Sequence, residues 1–134
     1  MFPLLSIFSG YAILGMRLVL GLILIVHGWS KLKNVSGTGK WMASVGFRPG
    51  MFWAVVVTAV EFLGGLLLIA GLYVQCVAFL VAGQFVVIVV WKIFKRNKFV
   101  GDLELDLVIL SVALALFTLG GGYYSLDRFF FFGF

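Results

Sequence analysis

Residues 48–92 read RPGMFWAVVVTAVEFLGGLLLIAGLYVQCVAFLVAGQFVVIVVWK, and between Arg48 and Lys92 the only formally charged residue is Glu61. A membrane span takes about 20 apolar residues, so this stretch holds two helices, with Gly71 at the tight turn between them and Glu61 near the middle of the first. A carboxylate in hydrocarbon is costly unless it is paired or protonated. Glu61 is therefore a candidate site residue, and the question is what partners it.

The rest of the 134-residue chain has the same character. Hydrophobic residues make up 63%, charged residues only 11%, and the mean hydropathy is +1.20. Those values exclude an ordinary soluble domain and indicate an integral membrane protein. The expected fold is all-α: a single membrane domain over residues 1–134, built as a four-transmembrane-helix bundle. Hydropathy and punctuation place the helices at roughly 7–29, 51–70, 72–91 and 103–119. Pro49 and Gly50 open the second helix and Gly120, Gly121 and Gly122 stop the fourth. A short interfacial helix is expected in the first loop, capped by Thr38 and anchored by Trp41. The apolar N-terminus has no basic leading region, and Arg17 interrupts it, so the first helix is expected to be retained rather than cleaved as a signal peptide.

The net charge of +5 does not point to nucleic acid. Lys31, Lys33, Lys40 and Arg48 form one basic cluster and Lys92, Lys95, Arg96 and Lys98 another, each beside an apolar run. They read as topology signals that put both connecting loops on the cytoplasmic side.

Counting residues offers a partner for Glu61. Arg17 lies fourteen residues from Lys31 and Glu61 thirteen from Arg48, or about 21 and 20 Å along a helix. If Lys31 and Arg48 both mark the membrane edge, Arg17 and Glu61 meet at mid-depth as an ion pair. Gly21, Gly28, Gly64 and Gly65 would let the two backbones approach closely. Such a pair can fix helix register, or it can form a proton- or ligand-responsive site in which Glu61 contacts a quinone-like head group. A second polar group, His27, Lys31 and Glu104, is expected near the cytoplasmic interface. Asp102 and Asp106 lie beside it, and Ser111 and Thr118 continue a stripe from Glu104 toward the bundle. One histidine and one cysteine make neither a metal centre nor a disulfide, and no metal is expected. Cys76 reads as a packing residue. Gly37-Thr38-Gly39-Lys40 lacks the spacing of a phosphate loop.

The chain resembles the DoxX family of small bacterial and archaeal membrane proteins. The resemblance runs from Arg17 to Asp127. It is carried by Arg17 to Gly21, His27-Gly28-Trp29-Ser30-Lys31-Leu32, Val45-Gly46-Phe47-Arg48-Pro49, Glu61-Phe62-Leu63-Gly64-Gly65-Leu66-Leu67-Leu68, Gly71-Leu72, Gly101 with Glu104, Gly120 to Gly122, and Tyr124-Ser125-Leu126-Asp127. One departure is visible: the family often has Thr-Arg after the outer turn, whereas this chain has Val74-Gln75.

The resemblance implies a four-helix transmembrane bundle in a bacterial or archaeal cytoplasmic membrane. It also implies oxidoreductase-associated work, since some members look like subunits of a thiosulfate:quinone oxidoreductase. Three expectations arise. The chain is a quinone-linked redox subunit with no prosthetic group of its own, or an accessory subunit packed on other membrane proteins or on a second copy of itself, or a small-solute or proton pathway. The aromatic end, Phe129 to Phe132 and Phe134, suits a membrane boundary or a subunit contact.

Overall fold

The computed structural model describes residues 3–132. A 3-10 segment over Pro3–Phe8 leads into α1, Ser9–Lys33, and α2, α3, α4 and α5 come after it at Val35–Ser44, Gly50–Ala70, Val74–Phe94 and Glu104–Leu119. Among the described residues there is no strand. The run Leu4–Lys33 together with α3 and α4 is long and apolar enough to cross a membrane. The 16 residues of α5 make a shorter fourth rod, about 24 Å in length. The expected four-helix membrane bundle is the architecture observed.

The chain breaks between α1 and α2 because Asn34 leaves helical geometry and caps α2. Its Oδ1 accepts from the Gly37 amide at 3.0 Å, and the next residues, Ser36, Gly37 and Gly39, favour caps and turns over helix interiors. The short helix expected in the first loop is thus present, but Asn34 caps it instead of Thr38. The Thr38 hydroxyl bonds back to the Asn34 carbonyl.

Helix α1 packs chiefly on α3, and α2 packs on the first half of α3. The two run antiparallel to α3 in one continuous register. Gly21 sits against Gly65 and Ile69, Gly28 against Phe62, and Gly39 against Met51. A Cβ at Gly28 would lie 2.6 Å from the Phe62 amide nitrogen, and one at Gly65 would lie 2.7 Å from the Gly21 carbonyl, so these contacts demand glycine.

At the C-terminal end of α3, the outer end in the orientation expected from the basic loops, Gly71 takes a left-handed conformation and its amide bonds the carbonyls of Leu67 and Leu68. Helix α4 then returns along α3, and α5 along α4. The core between them is built from Leu20, Leu24, Leu68, Val81, Phe85, Ile109 and Leu116. A Lys92–Asp106 ion pair ties α4 to α5 at the inner end, and Gln75 donates to the Phe117 carbonyl near the outer end.

Gly28→Ala is expected to destabilise the bundle by about 1–3 kcal/mol through overpacking on backbone atoms. Gly15→Ala, where nothing lies within 4 Å of a new Cβ, should stay within about 0.5 kcal/mol of the parent. Unfolding in detergent compares the two.

Candidate functional site

The register of α1 against α3 decides which charges meet. Glu61 is eleven residues from Gly50 and nine from Ala70, about 16 and 14 Å along the axis, and so lies halfway through α3. The α1 side chain that reaches it is Lys31, whose Nζ lies 2.6 Å from Glu61 Oε1. Arg17 sits near the outer end of α3, and the expected Arg17–Glu61 pair does not form. The expectation failed because it set Lys31 level with Arg48. In the fold, α2 carries the first rod onward past Lys31, so the Lys31 ammonium reaches Glu61, which lies thirteen residues, or about 20 Å, inside Arg48.

Arg17 is 1% exposed and fully engaged. Its guanidinium donates to the carbonyls of Leu68, which also accepts from the Gly71 amide, and Ile69 at the end of α3, and to those of Gly121 and Tyr124 in the C-terminal segment. Asp127 completes this outer clamp. Its carboxylate accepts from the Tyr73 and Val74 amides that open α4, its own amide donates to the Gly71 carbonyl, and its charge attracts Arg17. Ser125 holds the segment's local turn through the Gly122 carbonyl and the Arg128 amide. Beside it, a hydrogen bond to Tyr11 that favours the protonated phenol holds Tyr124 above its ordinary range. Gly71 is needed twice here, for its positive φ and because a Cβ would lie 2.8 Å from the Arg17 guanidinium.

The His27, Lys31 and Glu104 cluster does not assemble. Lys31 goes to Glu61, Glu104 Oε1 accepts from the Gly101 amide at the start of α5, and His27 is half-buried on α1. The stripe of Glu104, Ser111 and Thr118 is exposed, and both hydroxyls bond carbonyls of their own helix, so it faces away from the bundle. Asp106, two residues from Glu104, is the buried carboxylate of α5.

The third member of the mid-depth site is Gln84 on α4, whose Nε2 donates to the same Glu61 Oε1 at 2.6 Å. Sequence reasoning passed over it, although the signal was there. Gln84 is the only amide side chain between Gln75 and Lys92, and counted from the Gly71 turn it lies at nearly the depth of Glu61. Glu61 is 1% exposed and Lys31 is 30% exposed. Two oxygens of the group, Glu61 Oε2 and Gln84 Oε1, are buried with no hydrogen-bond partner. Beside them opens a cavity of about 940 Å³, which Lys31 and Gln84 help to line. Its walls are mostly apolar, with Trp41, Trp53, Val60, Phe79 and Ile88 among them, and Trp41 meets Trp91 edge to face. An apolar cavity with a few converging polar groups has the form of a small-molecule site. Among the described residues, no group of three His, Cys, Asp or Glu side chains is arranged to hold a metal ion.

The segment that supplies this site is covered by a family model, which matches DoxX over residues 12–93. The chain belongs to the DoxX family. Two relatives are 32% identical to it. One is CatD of Bacillus subtilis (strain 168), by its name a candidate oxidoreductase, aligned over 88% of this chain and 86% of the relative. The other is the inner membrane protein YqjF of Escherichia coli (strain K12), aligned over 84% of this chain and 86% of the relative. No solved structure matches. The family match takes in α1 to α4 almost whole and with them Arg17, Lys31, Glu61 and Gln84.

Arg17→Met is expected to cost about 3–5 kcal/mol, because it strands carbonyls in a buried site. Arg17→Lys should recover only part of that loss, since one ammonium cannot reach four divergent acceptors. Hydrogen exchange should quicken at the Tyr73 and Val74 amides and across 120–127 in Arg17→Met and be unchanged at the Lys31 end.

Proposed function

We propose that this DoxX protein is a redox-associated membrane subunit whose mid-depth cavity binds the head group of a quinone-type carrier. The observation that carries the reading is the cavity itself: apolar walls of membrane character, with Lys31 and Gln84 on its lining and the buried carboxylate of Glu61 behind them. A quinone carbonyl can accept from the Lys31 ammonium, and the isoprenoid tail suits the apolar walls. The name of CatD supports a redox setting. Electrons enter or leave through a partner protein, because the chain suggests no prosthetic group of its own. The setting is the cytoplasmic membrane, as the name of YqjF supports, with both basic loops on the cytoplasmic side.

An architectural role is the second reading. It is favoured by the outer clamp, where the Arg17 guanidinium is committed to holding helix ends, and by the exposed Phe129, Phe130 and Phe131 that can meet other subunits or a second copy. Phe134, grouped with them in the sequence, lies outside the described residues.

Binding of a short-tailed quinone such as decylubiquinone to protein in nanodiscs separates the two readings. Gly83 lines the cavity with nothing within 4 Å of a new Cβ. Gly83→Leu should therefore lower the affinity at least about tenfold while leaving the fold intact, a difference of about 1.4 kcal/mol. Parent protein that binds no quinone, and that co-purifies with a stoichiometric membrane complex in Gly83→Leu as in the parent, would favour the architectural role.

A further inference from the structure

The mid-depth group is short of one proton. Lys31 and Gln84 both donate to Glu61 Oε1, so that oxygen has two donors while Glu61 Oε2 and Gln84 Oε1 have none. Both orphans are sealed: each exposes no more than a trace of surface to a water-sized probe, too little for water or a cavity ligand to bond them where they stand. A proton can. An O–H at Glu61 Oε2 supplies the missing donor, and the Gln84 carbonyl is the acceptor left free on the residue that already bonds Glu61. The amide orientation is fixed by chemistry, because only its NH2 end can face a carboxylate oxygen.

The two members of the ion pair differ in freedom. Glu61 is 1% exposed and held between α1 and α4, whereas Lys31 is 30% exposed, carries a flexible stem and lines the cavity. No other charged group among the described residues is hydrogen-bonded to Glu61. On α1 the titratable neighbours of Lys31 are Lys33, exposed and set over the Trp29 ring, and His27, one turn earlier; α4 contributes the uncharged Gln84; Lys40 on α2 is exposed; and Lys92 is engaged with Asp106. When Lys31 turns away, nothing else neutralises Glu61.

We propose that Lys31 is a displaceable counter-ion and Glu61 a proton-binding site exposed by its displacement. An acceptor in the cavity draws the Lys31 ammonium off Glu61, and the carboxylate then binds one proton at Oε2, shared with Gln84 Oε1. An isolated carboxylate in hydrocarbon neutralises itself in preference to staying charged. The ligand half of this coupling rests on the quinone reading above; the proton half does not.

Lys31→Met mimics the displaced state without any ligand. Infrared spectroscopy of this variant at neutral pH should show the C=O stretch of a protonated carboxyl, absent from the parent, shifted in heavy water, and lost in Lys31→Met/Glu61→Gln. A folded Lys31→Met without that band overturns the proposal, as does a band that persists in the double variant. So does a Lys31→Met that fails to fold while Lys31→Met/Glu61→Gln folds, because Glu61 could not then have been neutralised. Calorimetry of decylubiquinone binding in buffers of different ionisation enthalpy should count close to one proton taken up per ligand by the parent and none by Glu61→Gln; binding with no uptake overturns the coupling. A band in Lys31→Met with no decylubiquinone binding by the parent leaves the proton site standing and removes the quinone reading alone.

Discussion

Hydrocarbon does not hold a lone ionised carboxylate, and in this bundle the cation that answers Glu61 is Lys31. The contact sets the register between the first rod and α3, and the rest of the architecture is consistent with it. With the Lys31 side chain on Glu61, the glycines fall where the backbones touch, Gly21 on Gly65 and Gly28 on Phe62. With the first rod still at mid-depth at Lys31, the chain needs α2 to reach the inner end of α3, and Asn34 makes the joint. Arg17 is then carried to the outer end of α3, where the last-turn carbonyls of Leu68 and Ile69 accept from it.

The two polar centres differ in how completely they are satisfied, and that difference separates structure from chemistry. At the outer clamp, Arg17 bonds four carbonyls and Asp127 caps α4 with both carboxylate oxygens. A fully satisfied buried network rigidifies a fold. At mid-depth, two donors crowd one oxygen and two buried acceptors go without. Groups left unsatisfied in a native interior carry a cost of about 1–3 kcal/mol each and ask for a reason. A cavity on one side and a partly exposed lysine between supply one.

Much of this was legible in the sequence. The apolar runs marked the helices, Gly71 and Gly120 their ends, and the isolation of Glu61 marked the site. The segments that carried the DoxX resemblance, including Gly71-Leu72, Gly120 to Gly122 and Asp127, meet at the outer clamp. What the sequence withheld was relative depth. Residue counting needs a common origin for two helices, and Lys31 and Arg48 looked like one because both are basic and flank apolar runs. The sequence announced a short helix in the first loop, but nothing in the composition of residues 35–44, with its serines, glycines and lysine, showed that it packs on α3 and displaces that origin. The error moved Arg17 to mid-depth, and the same slip put Lys31 at the interface. The outward stripe of Ser111 and Thr118 misled for a different reason: a hydroxyl that bonds its own helix is satisfied while facing lipid.

Lys31, and not Arg17, is the partner of Glu61. Double-mutant cycles on folding stability in detergent, using Lys31→Met, Arg17→Met and Glu61→Gln, address it directly. The account predicts a coupling of about 0.5–3 kcal/mol between Lys31 and Glu61, and additivity within about 0.5 kcal/mol between Arg17 and Glu61. Additive losses for Lys31 and Glu61 alongside strong coupling between Arg17 and Glu61 would contradict it.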